Sequence, residues 1–334
     1  MVRVDGLETK VRRIVVLGGS GFFGSVAVEM LRAEGIDPVV ASRSTGTDAG
    51  NGASLRRSLH KGDVVLDAAG PYQERTVTLI EEAIEIGFDI VDLSDSASYA
   101  SRVMAMKPRI DASGIRVLTS CSTVSTFTAA AVRMSGIARP SRVALFLVPS
   151  TARTANRGVM HSLLRNLGAP GAWRTSRTFQ MPAPIGVVRA HRLWSADAVT
   201  LPPVWPSLRE IAFFVTTRTA AGNAMVGMAA RFPAIRLFLP AARGLASRFG
   251  AMTGGVGIEV DGVRFAVMAR ERSWRSAVAP AVLASRAIAE GRHPHRGLVS
   301  PDGHVEPKDL VDYLAGLGIS FSRIETGHRS SPPG

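Results

Sequence analysis

A doubly wound parallel α/β fold of Rossmann type, followed by a second α+β domain with a mixed or antiparallel sheet, is what this sequence predicts. Three observations carry it. The apolar run Ile14-Val15-Val16-Leu17 leads straight into Gly19-Ser20-Gly21-Phe22-Phe23-Gly24, strand and helix signals alternate as far as about Gly136, and the periodicity changes beyond that point. A length of 334 residues exceeds one ordinary domain of about 150 and suits two. The expected division is a dinucleotide-binding domain over 1–138 and a substrate or oligomerisation domain over 139–325, its last helices packing back on the first. A disordered tail is expected over 326–334, where Ser330-Ser331-Pro332-Pro333 falls.

In chain order, Ile14 to Leu17 reads as a strand and Phe22 to Ala33 as a helix closed by Glu34-Gly35. Pro38 to Ala41 and Val64 to Leu66 read as strands, Thr76 to Ile86 as a helix ended by Gly87, and Asp89 to Leu93 as a strand. A helical stretch over Ser98 to Ala112 precedes the strand Ile115 to Leu118. Val143 to Val148 predicts a strand, Val159 to Leu167 a short helix, and the Pro-, Trp- and Arg-rich segment from Ala169 to Pro206 loops and edge strands. Ile258 to Ala269 alternates like a hairpin with Asp261-Gly262 at its turn. Ala277 to Ile288 and Pro307 to Leu314 read as the last helices.

The glycine loop follows a strand and opens a helix, the context in which such glycines allow a tight turn, close approach of backbone N–H groups to a pyrophosphate, and close helix–strand contact. Gly19, Ser20, Gly21, Phe22, Phe23 and Gly24 are therefore candidate cofactor residues. At the end of the second strand, where an acidic residue selects NAD, stand Ser42, Arg43 and Ser44. The missing carboxylate and the arginine favour NADP. Between Thr45 and Gly62 the glycines at 46, 50 and 52 disfavour a helix, which predicts a trimmed or open adenine side.

The stretch Asp63-Val64-Val65-Leu66-Asp67-Ala68-Ala69-Gly70-Pro71-Tyr72, followed by Ile90-Val91-Asp92-Leu93-Ser94-Asp95, resembles the saccharopine dehydrogenase-like oxidoreductases. The chain's end is similar to that family too, in Gly297-Leu298-Val299-Ser300-Pro301 and Leu317-Gly318-Ile319-Ser320-Phe321. The resemblance implies that the glycine loop binds cofactor phosphates. It also implies that Ala69, Gly70, Pro71 and Tyr72 lie beside the nicotinamide ribose, and that the second domain serves substrate and often dimerisation. Val124-Ser125-Thr126 departs from the family's Pro-Gly turn, and residues 150–250 match only loosely, so no substrate is implied.

Hydride transfer to or from a carbonyl, imine or activated alkene needs a proton donor at the C-terminal ends of the strands. Tyr72, Asp95 and Tyr99 qualify by position, although Asp95 also reads as a helix cap and Tyr99 as a packing residue. A Tyr with Lys four residues on is absent: Thr76, Val103 and Leu317 occupy those places. Cys121, in Ser120-Cys121-Ser122-Thr123, suits either a nucleophile at a helix start, with His161 as its base, or a small core residue. His161 and His191 are substrate-contact candidates in the second domain. His293-Pro294-His295 reads as a surface loop, and no metal site is expected.

With 46% hydrophobic and 20% charged residues, and no run of about 20 apolar residues, the composition is that of a globular, non-spanning chain. Met1 to Arg12 lacks the apolar core of a secretory signal and the single cysteine forms no internal disulfide, so a cytoplasmic setting is expected. The formal charge of +13 comes from 36 arginines and four lysines spread over both halves, without a basic arm, and nucleic acid is not an expected partner. Residues 211–258 contain no acidic side chain, while Arg218, Arg231, Arg236, Arg243 and Arg248 punctuate an apolar run including Phe232, Leu237, Phe238 and Leu239. That pattern fits an interfacial helix pair on an anionic membrane, a lid over an acyl or phosphorylated substrate, or a core helix with snorkelling arginines. The combined reading is an NADP-dependent oxidoreductase, NAD remaining open, with a small and lipid-like substrate. The alternative is a non-catalytic NAD(P)-binding or membrane-associated protein of the same fold.

Overall fold

Runs of β-branched residues that are apolar on both faces build a central parallel sheet in the computed structural model, which describes residues 11–154, 156–237, 244, 248 and 250–325. The expected tail, Met1 to Lys10, and Phe238, Leu239 and Arg243 of the acid-free stretch lie outside the described residues. The first half contains β1 (Ile14–Leu17), α1 (Phe22–Ala33), β2 (Val39–Ala41), α2 (Gly52–Ser58), β3 (Val64–Asp67), α3 (Thr78–Ile86), β4 (Asp89–Asp92), α4 (Ala97–Ala105), α5 (Lys107–Ser113), β5 (Arg116–Leu118) and α6 (Thr126–Ser135). The second contains β6 (Arg142–Val148), α7 (Thr151–Thr154), α8 (Arg157–Asn166), β7 (Ser176–Gln180), β8 (Val187–Leu193), α9 (Asp197–Thr200), β9 (Glu210–Val215) and α10 (Ala220–Arg231). There follow β10 (Gly254–Val260), β11 (Val263–Ala269), α11 (Ala279–Ala289), β12 (Gly297–Leu298), α12 (Pro307–Gly316) and β13 (Ser320–Arg323).

The first sheet runs β12-β5-β4-β3-β1-β2, every pairing parallel. Because side chains alternate along a strand, Val15, Leu17, Val65 and Ile90 enter one core with Leu55, Ile80 and Ile110 of the helices on that face. Ile14, Val16, Leu66 and Val91 enter the other. That second core also takes Phe127 of α6, Val282 of α11, and Leu145, Phe213 and Ile258 of the second sheet, so one apolar layer joins the two sheets. The second sheet, β13-β11-β10-β6-β9-β8-β7, is mixed: β6 and β9 are parallel and the other pairings antiparallel. Its far face is sealed by Phe146, stacked on Phe179 at 4.6 Å and on Phe214 at 5.0 Å. This is the α/β architecture with a second mixed sheet that the sequence predicts.

The hairpin falls where expected, with Val260 opposite Val263 and both turn residues left-handed, Asp261 at φ 45° and Gly262 at φ 92°. One expectation fails. The segment after β2 does contain a helix, α2, because Gly46 and Gly50 precede it and Gly52 sits at its first position, where glycine costs little. Asn51 caps it by accepting from Ser54 N at 3.0 Å, and Arg56 anchors it to Glu82 of α3 at 2.7 Å.

α1 can approach β1 only because Gly24 has no side chain. A Cβ there would stand 2.1 Å from the Gly18 carbonyl oxygen. Gly24→Ala is therefore expected to cost about 1–3 kcal/mol by overpacking, read from urea unfolding. Gly316→Ala, in α12 with nothing within 4 Å, is expected to be neutral or to gain about 0.4–1 kcal/mol. Equal effects at the two positions would contradict this packing.

Candidate active site

The C-terminal ends of β1 to β5 point to one edge of the first sheet, and the chain's direction of progress reverses at β1, which has β2 on one side and β3 on the other. In open α/β sheets the crevice at that switch receives the ligand. The turn out of β1 is made by Gly18, at φ 78°, whose N–H donates to Ala41 O of β2 at 2.7 Å. A Cβ on Gly18 would lie 2.8 Å from Ala68 and Ala69, so this glycine also lets the turn after β3 close in. Gly18 was not among the predicted cofactor residues. The motif's spacing begins at Gly19, and only backbone geometry distinguishes the glycine before it. α1 begins at Phe22 behind Gly21, with no side chain capping its first N–H groups. That leaves the positive end of the helix dipole facing the crevice edge.

Ser42 to Ser44 follow β2. Ser42 and Ser44 hydroxyls bond each other at 2.8 Å, and Thr45 closes the turn onto Ser42 N at 2.8 Å. Arg43 is exposed and pairs with no carboxylate among the described residues.

After β3 the turn Ala69-Gly70-Pro71-Tyr72, with a cis Gly70–Pro71 bond, covers a buried ionic group. Asp67, with no exposed surface, accepts Ala69 N at 2.9 Å and the Arg75 guanidinium at 3.1 Å. Arg75 also donates to Ala69 O at 2.6 Å. The Tyr72 hydroxyl donates to Asp67 O at 2.5 Å and accepts Leu93 N at 3.2 Å. Tyr99 packs 5.4 Å from Tyr72 and is fully buried, its hydroxyl without a partner among the described residues. Burial pushes both phenols well above their usual range.

Asp92, beside Asp67 in register, is also fully buried. Its Oδ1 accepts Ser94 N at 2.9 Å and Ser120 N at 2.8 Å, Oδ2 has no hydrogen-bond partner among the described residues, and burial raises its pKa to about 6.

Asp95 differs from these groups. It is half-buried, its Oδ1 accepts Gln73 Nε2 at 3.3 Å and its Oδ2 accepts the Ser162 hydroxyl at 3.2 Å, and burial moves its pKa up. The cap of α4 is Ser96 instead. Gln73 and Ser162 were not predicted: 89 residues separate them, and neither lies in a motif, yet they bond at 2.8 Å.

Of the two readings of Cys121, the structure supports the core residue. It is fully buried, burial pushes its thiol far up, and it lies between β5 and α6, five residues before the helix start at Thr126. His161 instead faces Glu74 at 3.4 Å. His293 is likewise buried, its ring facing the carbonyl oxygens of His295 and His304 at 3.4 and 3.3 Å, while His295 is exposed. Among the described residues no group of three or more His, Cys, Asp or Glu is placed to hold a metal ion.

No family model matches the chain. A lipid droplet localized protein of Caenorhabditis elegans is 28% identical over 137 residues, a match covering 32% of each chain. The chain therefore spans about a third of that relative's length. Among solved structures, a dehydrogenase from Clostridium difficile is 8% identical with a TM-score of 0.39, covering 92% of this chain and 99% of that one. A putative NADPH-dependent oxidoreductase from Desulfitobacterium hafniense is 10% identical with a TM-score of 0.41, covering 92% and 95%. The WlbA dehydrogenase of Thermus thermophilus, in complex with NAD and UDP-GlcNAcA, is 14% identical with a TM-score of 0.37, covering 91% and 94%. At such identities and scores no residue role is carried over from them.

The protonation of Asp92 has a sign that can be checked. Its pKa is raised from 3.8 to about 6 on folding, so between those values the folded protein holds a proton that the unfolded chain has lost. The group's contribution to stability therefore falls as pH rises through that window. Asp92→Asn removes this dependence. Relative to the unsubstituted protein, its stability is expected to rise by about 2–3 kcal/mol from pH 4 to pH 7. Urea unfolding at the two pH values measures this, and an unchanged difference would mean Asp92 titrates normally.

Proposed function

We propose that this protein is an NAD(P)-dependent oxidoreductase of the saccharopine dehydrogenase-like kind, using NADP in preference to NAD. The dinucleotide lies across the crevice at β1, with residues 1–138 holding it and 139–325 serving a small substrate. The observation that carries this reading is the glycine turn itself: Gly18 and Gly24 bring backbone and helix start together at the switch point, and the first N–H groups of α1 lack side-chain caps.

In this reading Gly19 to Gly24 hold the pyrophosphate, Arg43 with Ser42 and Ser44 takes the 2′-phosphate, and Ala69 to Tyr72 border the nicotinamide ribose. The cofactor supplies or accepts the hydride. Asp95 is the favoured proton donor, because the residue is only partly buried, its pKa is raised and its partners Gln73 and Ser162 are neutral, while the hydroxyls of Tyr72 and Tyr99 are buried beneath the turn. Those two tyrosines then position the turn.

The test is a fluorescence titration with NADPH and NADH. Saturable binding is expected, tighter for NADPH, with Arg43→Glu weakening NADPH at least tenfold and leaving NADH nearly unchanged. No saturable binding of either would overturn the reading. Once turnover is found on a panel of carbonyls, imines and enoyl thioesters, Asp95→Asn is expected to lower kcat about 10²-fold or more without changing NADPH affinity.

A second reading, membrane-surface association through 211–258, has one observation of its own. Met228 and Phe232 of the α10 region are 50% and 53% exposed, and Arg231 lies over the Phe232 ring at 5.8 Å. Flotation with vesicles containing anionic lipid is expected to carry the protein, and Phe232→Ser to reduce this. No flotation with such vesicles would end this reading. No helix among the described residues is long and apolar enough to cross a membrane.

A further inference from the structure

We infer that a second binding site, built on the other sheet, takes a small amphipathic anion, a carboxylate or phosphate on an apolar body. The site is a cavity of about 560 Å³ between β8 and the N-terminal half of α10, within the range of ligand pockets. None of its lining residues belongs to the glycine loop, the Ala69–Tyr72 turn or the Asp95 group.

Three features define what fits it. Part of the wall is apolar and flat: the Trp173 indole, stacked on the His191 ring at 4.8 Å with the two planes nearly parallel, with Ile185 and Ala224 also lining the cavity. The wall is also preorganised, since Trp173 Nε1 donates to Asn223 O at 3.0 Å and Asn223 Nδ2 donates to Arg189 O at 3.3 Å. The lining is also cationic. Arg189 and Arg218 both line the cavity, no lining residue is acidic, and neither arginine reaches a carboxylate among the described residues.

The contrast with the rest of this sheet is informative. Arg177 and Arg264 share Glu259 at 2.7 and 3.0 Å, whereas among the described residues the Arg218 guanidinium donates to the carbonyl and hydroxyl of Thr253, and that of Arg189 to the Ser176 hydroxyl at 3.0 Å. Arg218 is half-buried in a left-handed backbone at φ 71°, and burial lowers its pKa. A partly desolvated guanidinium that lines a cavity and has no carboxylate partner among the described residues favours an anionic ligand. The absence of acidic residues over 211–258 leaves that charge unanswered by this part of the chain. An apolar wall in the same cavity as the cations asks for an apolar body attached to the anionic group, which separates this ligand from free phosphate or a simple dicarboxylate.

Calorimetric titration of the full chain with octanoate, octyl phosphate, octan-1-ol and inorganic phosphate tests the inference, with thermal unfolding by circular dichroism checking that each variant is folded. Octanoate or octyl phosphate is expected to bind at one saturable site, the tighter of the two identifying the head group. Octan-1-ol and inorganic phosphate should bind at least tenfold more weakly. Arg218→Gln should weaken the anion at least tenfold, and Ala224→Phe, at an exposed helix position, should abolish binding by filling the cavity. If Arg218→Gln fails to fold, Ala224→Phe decides the matter. No saturable binding of either anion, equal binding of octan-1-ol, or binding that survives Ala224→Phe would overturn the inference.

Discussion

The ion pair between Asp67 and Arg75 is the constraint around which the candidate site is arranged. Asp67 ends β3 with no exposed surface, and Arg75 is 10% exposed, so each charge is tolerable only with the other in place. Breaking such a pair by removing one partner typically costs about 3–5 kcal/mol, because the survivor is left charged and dry. Arg75 reaches back over eight residues to make it. In doing so it ties Ala69 O, Arg102 of α4 donates to Arg75 O at 2.6 Å, and the Tyr72 hydroxyl bridges the ends of β3 and β4. The turn beside the glycine loop is thus held from below, and its surface is rigid without contact from above.

Most of the first half was legible because its signals are local. A strand-glycine-helix order, β-branched runs ending in Asp67 and Asp92, and an Asp-Gly turn between alternating residues each declare themselves within about ten residues. Helix α2 was missed because counting glycines ignores where they fall: at the boundary of a helix they are caps and first positions, not interruptions. The tyrosines were placed at the right strand ends, but position says nothing of direction, and both rings turn beneath the turn into the core. Gln73 and Ser162 escaped for another reason. Their pairing depends on α8 returning to the first sheet across 89 residues, and neither residue type is unusual by itself.

The two sheets meet through a polar seam as well as an apolar layer. Asp197, buried in the second half, accepts Ser125 N at 2.6 Å and the Thr128 hydroxyl at 2.9 Å, and Thr126 bonds His304 at 2.9 Å. The segment Val124-Ser125-Thr126, which departs from the family resemblance, is therefore a docking element: Ser125 adopts φ 66° and its N–H and hydroxyl are both taken by residues of α9. A Pro there would remove the N–H that Asp197 receives. With the apolar core shared across the sheets, this seam argues for a fixed relation between them at the level of residues 124–128, not a hinge.

That rigidity bears on which carboxyl can act. A proton donor has to exchange with substrate and return to its starting state each cycle, so burial that makes a proton hard to lose is useful only if the group still reaches the crevice. Asp92 holds its proton to about pH 6 but is sealed, and its nearest polar neighbours are backbone N–H groups and buried side chains. Asp95, only partly buried as a residue, combines a raised pKa with two neutral partners, which orient a carboxyl without neutralising it. A cation in place of Gln73 would hold it ionised and remove the donor. The amide and hydroxyl contribute direction only, and this is why the polar, uncharged character of the Gln73–Ser162 pair matters more to the proposed chemistry than the buried charges beneath it.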